Sequence, residues 1–310
     1  QRRDNHGNSK WRTTQHFFVS EATYGTTPSS PAFKPFPHTG TTLGMTKDGI
    51  ESEKLRGDRQ VEDFRHGNQS ISGDVSAELE YGGLDDILQA VLCGTWASDI
   101  LKAGVTRRSF TIERKFADLA TPEFHRYTGS EFNTFALSVS PNAIVTATFG
   151  VIGKGLTLAT TAIASSTYAA AADVQPFDSF TGSIQEGGSA IAVVTSIDFT
   201  LENGLEPLFA VGSKTTNRPS IGKSRLTGSM TTYFESKTLY EKFINETSSS
   251  IFLELVDLAG NAYEFNFANV KYNSGQPDVS GEGAVTISMD FIALYDGTDL
   301  SQIVITRVPV

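Results

Sequence analysis

Chemistry in a protein needs titratable or nucleophilic side chains brought together, and the candidates in this chain are few. The five histidines are His6, His16, His38, His66 and His125. None stands at metal-ligand spacing from a second histidine, a cysteine or a carboxylate. Cys93 is the single cysteine, so it forms no intrachain disulfide. Its place in AVLCG, on the apolar side of an expected helix, suits a small core residue better than a nucleophile. Asp85 and Asp86 open that helix, where the backbone dipole favours negative charge, and this outweighs an acid–base pair. Lys154 in GKG lacks the glycine spacing of a phosphate loop and reads as a loop lysine. Asp296, Gly297 and Asp299 in YDGTDLS suggest a calcium loop by composition but not by spacing, so a turn is expected. Asn68-Gln69-Ser70 and Asn245-Glu246-Thr247 are glycosylation triplets, which mean nothing without secretion. The expectation is a protein that is not an enzyme, with no catalytic residue, cofactor or metal to nominate.

The bulk properties narrow the classes further. Charged residues make up 19% of the 310 residues, below the roughly 25% of an average domain. Ser, Thr, Gly and Asn fill the gap and favour strands and loops. Residues 1–40 hold Arg2, Arg3, Lys10, Arg12 and Lys34 against Asp4 and Glu21, a local balance of +3. With a total of −10, the rest carries −13 (−10 − 3). An acidic body argues against binding nucleic acid through its phosphates. No apolar run approaches the roughly 20 residues of a membrane span, and QRRDNHGNSKWRTTQHFF lacks the apolar stretch of a secretion signal. A soluble protein without a membrane partner is expected.

The elements that would position any site are mostly strands. From Ile71 to Tyr81 the apolar or small residues fall on odd positions, with Ser72, Asp74, Ser76, Glu78 and Glu80 on even ones. Period two means a strand with one packed face and one wet face. Leu226, Met230 and Phe234 alternate likewise with Thr227, Ser229 and Thr231. Val145, Ala147, Phe149 and Val151 alternate with Thr146 and Thr148. Val285, Ile287, Met289 and Phe291 alternate with Thr286, Ser288 and Asp290. Between these strands lie two short amphipathic helices. The first buries Leu84, Ile87, Leu88, Val91 and Leu92, with Gly94 as its stop; the second buries Leu239, Phe243 and Ile244, with Glu241 and Lys242 outward. Pro28, Pro31, Pro35 and Pro37 forbid helix or central strand in their stretch, which is expected to be an extended arm or loop.

The strand–helix–strand series occurs twice. TTLGMTKDGIESEKL (41–55) sits against TSIDFTLENGLEPLF (195–209), pairing Met45 with Phe199. ISGDVSAELEYGGLDDIL (71–88) sits against LTGSMTTYFESKTLYEKF (226–243) at an offset of 155, pairing Gly73 with Gly228. RSFTIERKF (108–116) matches SSIFLELVD (249–257), with Glu113 on Glu254. AIVTATFGVIG (143–153) and AVTISMDFIAL (284–294) close the two copies. The expected division is an arm or loop over 1–40, a first domain over 41–155, a linker or interface loop over 156–188, and a second domain over 189–310.

The wet strand faces are almost free of lysine and arginine. An ordinary solvent-exposed face normally mixes both signs. A one-signed, hydroxyl-rich face is also what a conduit for DNA requires, because negative charge repels phosphates. Residues alone leave both readings open.

The order of segments resembles a known family. SEATYGTTPSSPAFKPFPHTGTTL (20–43), IESEKLRGDRQVEDFRHGNQSISGDVSAEL (50–79), LDDILQAVLCGTW (84–96), RRSFTIERKF (107–116) and YTGSEFNTFALSVSPNAIVTATFGVIGK (127–154) are similar to the major tail tube protein family of siphophages, the long-tailed bacteriophages. PFDSFTGSIQEGG and VVTSIDFTLENG extend the likeness, which covers residues 20–300. The resemblance implies a mainly β fold, a β-sandwich or barrel-like antiparallel sheet with a short flanking helix per domain, here in two tandem tube-type domains. It further implies trimeric, pseudo-hexameric rings stacked head to tail, forming the tube of a virion tail through which DNA is ejected into the host. On that reading Ser72, Asp74, Ser76, Glu78, Glu80, Thr146, Thr148, Thr227, Ser229, Thr231, Thr286, Ser288 and Asp290 face the lumen. The partners would be further copies of the chain, tape measure, tail tip and tail terminator proteins, and genomic DNA that passes without specific binding. The proline-rich segment 26–40, the segment 153–188 and ITRVPV (305–310) are candidates for contacts between subunits and rings. The basic N-terminal arm is a candidate to meet a neighbour's acidic body. Two other readings stand beside this one: a different phage β-structural protein such as a capsid decoration or adhesin subunit, and a carbohydrate-processing β-sandwich enzyme, for which no carboxylate pair can be nominated.

Overall fold

Alternation in the sequence produces a sheet with two unlike faces. In the computed structural model, which describes residues 14–54, 57–58, 60–191, 194–279 and 282–310, strand Phe64–Glu78 buries Ile71, Val75 and Ala77 and leaves Ser72 and Asp74 exposed. Strand Thr286–Ala293 does the same with Ile287, Met289 and Phe291 against Ser288 and Asp290. Seven strands lie side by side, all antiparallel: Gly44–Glu51, Phe64–Glu78, Thr146–Gly153, Glu123–Val139, Val194–Glu202, Arg225–Tyr233 and Thr286–Ala293. The fold is mainly β, as expected. The middle pairing, Glu123–Val139 with Val194–Glu202, joins the first half of the chain to the second.

Strand Glu123–Val139 runs for 17 residues and serves two sheets. A register shift between Phe132 and Thr134 marks the bulge that divides it. Beyond that point its N-terminal part pairs with Phe110–Phe116 and Gly155–Ala159, and Thr14–Ser20 adds outside Phe110–Phe116. The second half repeats the arrangement. Ala262–Tyr272 pairs with Ser249–Val256 and Val304–Val308, Ser183–Glu186 adds outside, and Val270–Tyr272 turn back onto Thr286–Ala293. The core between the sheets is rich in phenylalanine. Phe135 stacks on Phe149 at 5.3 Å, and Phe199 meets Phe265 and Phe267 at 5.7 and 5.0 Å.

The registers of the two halves run in step. Gly73 stands opposite Val151 and Gly228 opposite Phe291. Glu113 stands opposite Arg126 and Glu254 opposite Glu264. One pairing expected from the sequence is two residues out. Gly44 stands opposite Ser72, which sets Leu43 beside Gly73, whereas Phe199 stands opposite Gly228. Leu43 therefore holds the place of Phe199, and both are 2% exposed while Met45 is 36% exposed.

Helix α1, Asp85–Val91, packs as its periodicity requires, with Leu84, Ile87, Leu88, Val91 and Leu92 buried. Cys93 ends it in the left-handed region at φ 49. Gly94 serves a different need from the expected stop, because a Cβ there would collide with the Lys102 carbonyl. Helix α2, Thr238–Ile244, departs from expectation: it has no fully buried residue. Leu239 and Phe243 pack half-buried on the core, while Ile244 is 58% exposed. Lys242 does not point outward. It folds back onto the buried Glu186 at 2.6 Å and donates to Ser249 at 3.0 Å, because that carboxylate needs a cation.

Residues 14–40 do not stand off as an arm. Thr14–Ser20 pairs along its whole length with Phe110–Phe116. Ala32–Pro35 is a short strand, antiparallel to Thr14–Ser20 and parallel to Thr167–Tyr168. Proline is tolerated at Pro35 because Thr167–Tyr168 reaches only Ala32 and Phe33, so a donor is not needed there. The Glu21 carboxylate fixes the turn between them by accepting from Gly25 and Gly129 N–H and from the Ser109 and Thr111 hydroxyls, at 2.7 to 2.9 Å. Residues 1–13, the basic arm of the sequence, lie outside the described residues.

Two measurements check this packing. Thr148 and Phe149 point to opposite faces, so Thr148→Lys should change stability by less than about 0.5 kcal/mol and Phe149→Ala should cost about 3–5 kcal/mol. Urea unfolding reads both, and similar losses would reverse the face assignment. His16 is buried, stacks on His38 at 3.9 Å and accepts from Arg114 Nε at 3.1 Å. Burial, then the His38 and Arg114 charges, lowers its pKa from 6.5 to about 2. The unfolded chain takes up this proton first, so stability is lost as pH falls below 6.5. His16→Phe should flatten the fall of the urea midpoint on acidification; an unchanged slope would assign the acid sensitivity elsewhere.

Candidate functional site, a polar sheet face and its two edges

The seven-stranded sheet turns one face away from the core. Because registers are fixed, its polar residues fall into rows across the strands. One row runs Ser76, Thr148, Ala136, Thr200, Thr227. Another runs Glu78, Thr146, Ser138, Asp198, Ser229, Asp290. Hydroxyls bond across strands, Ser76 with Thr148 at 3.1 Å and Ser229 with Ser288 at 3.2 Å. Ser274 donates to Asp290 at 2.9 Å. Asp74, Glu78, Asp198, Glu202 and Asp290 make the face acidic; Arg225 and Lys271, at its margin, are the basic residues that the register places on it.

Twelve of the thirteen residues nominated from the sequence share this face: Ser72, Asp74, Ser76, Glu78, Thr146, Thr148, Thr227, Ser229, Thr231, Thr286, Ser288 and Asp290. Glu80 does not stay with them. The strand ends at Glu78, and the Glu80 backbone bridges to Pro176. Burial and then the Glu78 charge raise its carboxyl above the usual range. The nomination missed Thr134, Ser138, Asp198, Thr200 and Glu202, which the middle strands contribute. In Val194–Glu202 the signal was present, since Ile197, Phe199 and Leu201 alternate with Asp198, Thr200 and Glu202.

Among the described residues the two edges of the sheet are open. Gly44–Glu51 pairs on one side with Phe64–Glu78, and among the described residues nothing pairs with its other side. Gln276–Asp278 continues the sheet past Thr286–Ala293 and is likewise paired on one side. Val279, next to it, is 72% exposed. Edges of this kind are normally blunted or covered.

The residues with potential chemistry have structural partners. Burial, ahead of the Glu131 charge, pushes the Cys93 thiol up, which disfavours a nucleophilic thiolate. Asp85 does begin α1, but its carboxylate also accepts from the Tyr263 hydroxyl and from Arg307, both at 2.5 Å. Lys154 lies over the Tyr24 ring at 5.6 Å. Asp296 closes a turn by accepting from Thr298 and Asp299 N–H at 2.7 and 2.8 Å. His125 lies 3.3 Å from Glu123. Among the described residues no group of three His, Cys, Asp or Glu side chains converges on a metal-sized site. No helix there is long and apolar enough to cross a membrane.

A search of curated proteins finds no match for the chain. The family comparison is more informative, because the model of the phage tail tube proteins matches residues 11–293, nearly the whole length. A β-rich chain whose main sheet has a polar open face and two unpaired edges is thus a structural component of a virion tail: it belongs to the phage tail tube protein family.

Proposed function

We propose that the chain is the major tail tube subunit of a non-contractile tail, built of two tube-type units over 41–155 and 189–310, and that three chains close into a pseudo-sixfold ring. The junction between the halves carries this reading. Inside the chain, Val139 stands opposite Ile197 and Leu137 opposite Phe199. The first member of each pair has a counterpart 140 positions on, since Ala136 stands opposite Thr148 as Gln276 stands opposite Ser288. The second member has one 156 positions back, since Leu43 holds the place of Phe199. The same pairs carried through the repeat are Val279 with Thr41 and Pro277 with Leu43. Pro277 lies on one open edge with Val279 next to it, and Thr41 and Leu43 continue the other just before Gly44, Thr41 pairing with Val75, so a second chain can extend the sheet as the second half extends the first.

Closing the sheet in a ring removes its edges and turns one face inward. The inward face would be the polar one, since the other is occupied by the core. Its carboxylates repel phosphates and its hydroxyls offer no fixed positive charge, so DNA passes during ejection without adhering. Rings stacking head to tail make an open filament. The tape measure, the tail tip and the tail terminator are the further partners of such a tube.

Pairing Thr41→Cys with Val279→Cys tests the closure. Oxidation should give covalent trimers on non-reducing gels, and electron microscopy should show hollow rings of three chains. Rings of six chains would break the two-unit reading, and rings of three without the cross-link would break the edge pairing. The lumen is tested separately by changing Asp74, Glu78 and Asp290 together to lysine. Tubes should still form while genome ejection falls, and undiminished ejection would remove the electrostatic role.

A further inference from the structure

The first half contains a wedge that, among the described residues, the second half lacks. Where strands Phe64–Glu78 and Thr146–Gly153 separate, Leu79 N–H donates to the Val145 carbonyl at 2.9 Å. The return bond is replaced by Phe177, from the segment between the halves. Its N–H donates to the Leu79 carbonyl and its carbonyl accepts from Val145 N–H, each at 2.9 Å. The Phe177 ring is fully buried, 5.5 Å from the Tyr263 ring.

The second half opens at the same place. Phe234 N–H donates to the Val285 carbonyl at 2.9 Å, as Leu79 does to Val145. Here nothing enters the gap: among the described residues, Val285 N–H and the Phe234 carbonyl have no partner. Phe234 is 36% exposed and Tyr233 47% exposed. Beside them a cleft of about 490 Å³ is lined by Thr232, Tyr233, Glu235, Leu239, Lys242 and Ile287. A splayed strand end with an unpaired donor and acceptor and exposed aromatic surface has the features of a site awaiting an extended segment.

We propose that the occupant is the segment around Trp11 of a neighbouring copy of this chain. The residue count identifies it. Ser183 stands opposite Glu254 as Phe17 stands opposite Glu113, and the two glutamates hold the same place in their halves. Phe177 therefore precedes its strand by the same number of residues as Trp11 precedes Phe17, and both are aromatic. Residues 1–13 carry Arg2, Arg3, Lys10 and Arg12 against Asp4, while the acidic Glu235 lines the cleft. The Trp11 backbone supplies the missing donor and acceptor, its indole covers Phe234, and Lys10 and Arg12 lie towards Glu235. This inference rests on the ring reading, because only a ring brings the next chain's first half against this chain's second half. It adds a separate claim, that each chain locks its neighbour by a plug as well as by strand pairing.

Two variants of the full chain separate the claims. Trp11→Cys with Phe234→Cys should give covalent trimers on oxidation, as Thr41→Cys with Val279→Cys should. In Trp96→Phe, Trp11 is the sole tryptophan; its emission should shift to the blue and its quenching by acrylamide should fall severalfold on ring formation. Trp11→Ala should weaken ring assembly, and Trp11→Phe should retain it. If the Thr41–Val279 pair cross-links while the Trp11–Phe234 pair does not and Trp11 stays open to quencher, the plug is overturned and the ring stands. If neither pair cross-links, the ring reading falls and the plug with it.

Discussion

The architecture depends on six residues of one strand lying against six of another. Thr134–Val139 pair with Ile197–Glu202, and this joins strands of the first half of the chain to those of the second in one sheet. Without it each half would expose a hydrogen-bonding edge and the apolar flank behind it. With it the core is continuous, as Phe135 meets Phe199 edge-on at 5.6 Å. Asn203, 3% exposed, then pins three elements together. Its amide donates to the Val91 carbonyl at the end of α1 at 2.7 Å and to the Phe132 carbonyl at the bulge at 3.2 Å. A buried amide with both donors placed fixes register as well as stability.

A second tie lies on the side away from the polar face. Arg307, near the C-terminus, reaches Asp85 on α1 and Asp99 beyond it, and lies 4.4 Å over the Trp96 ring. Tyr263 donates to Asp85 and accepts from Gly82 N–H. Strand Val304–Val308 pairs with Ile100–Lys102 of the first half. Elsewhere Glu131 is shared by Arg107 and Arg218, and Glu113 is held by Arg126 and Tyr168. Buried pairs such as these add little net energy over apolar packing, but losing one partner strands the other charge. They therefore specify which surfaces meet.

The sequence carried period two strongly wherever one face is buried and the other polar. Strands such as Phe64–Glu78 and Thr286–Ala293 and the packed face of α1 were legible for that reason. The wet face was legible only in part, because a strand shows its alternation but not its neighbours. Asp198 and Thr200 show their alternation locally, but which face they join is set by the long-range pairing with Glu123–Val139. Residues 14–40 were misread because the prolines argued against structure, and a short strand whose Pro35 lies past its second neighbour escapes that argument. Lys242 misled for a related reason: a lysine on a short helix normally points to water, and only the distant Glu186 draws it inward. The offset between halves aligns Gly73 with Gly228, and at both a Cβ would collide with neighbouring backbone. At Met45 it slipped by two, since period two makes such a slip invisible to burial patterning.

The union of Val304–Val308 with Ile100–Lys102 has a consequence for timing. A chain emerging from the ribosome displays α1, Asp85 and Asp99 some two hundred residues before Arg307 arrives to meet them. The first half has one flank uncovered until Val304–Val308 is made. A chain cut short before Val304 thus cannot present a completed first half, because the strand that pairs with Ile100–Lys102 is missing.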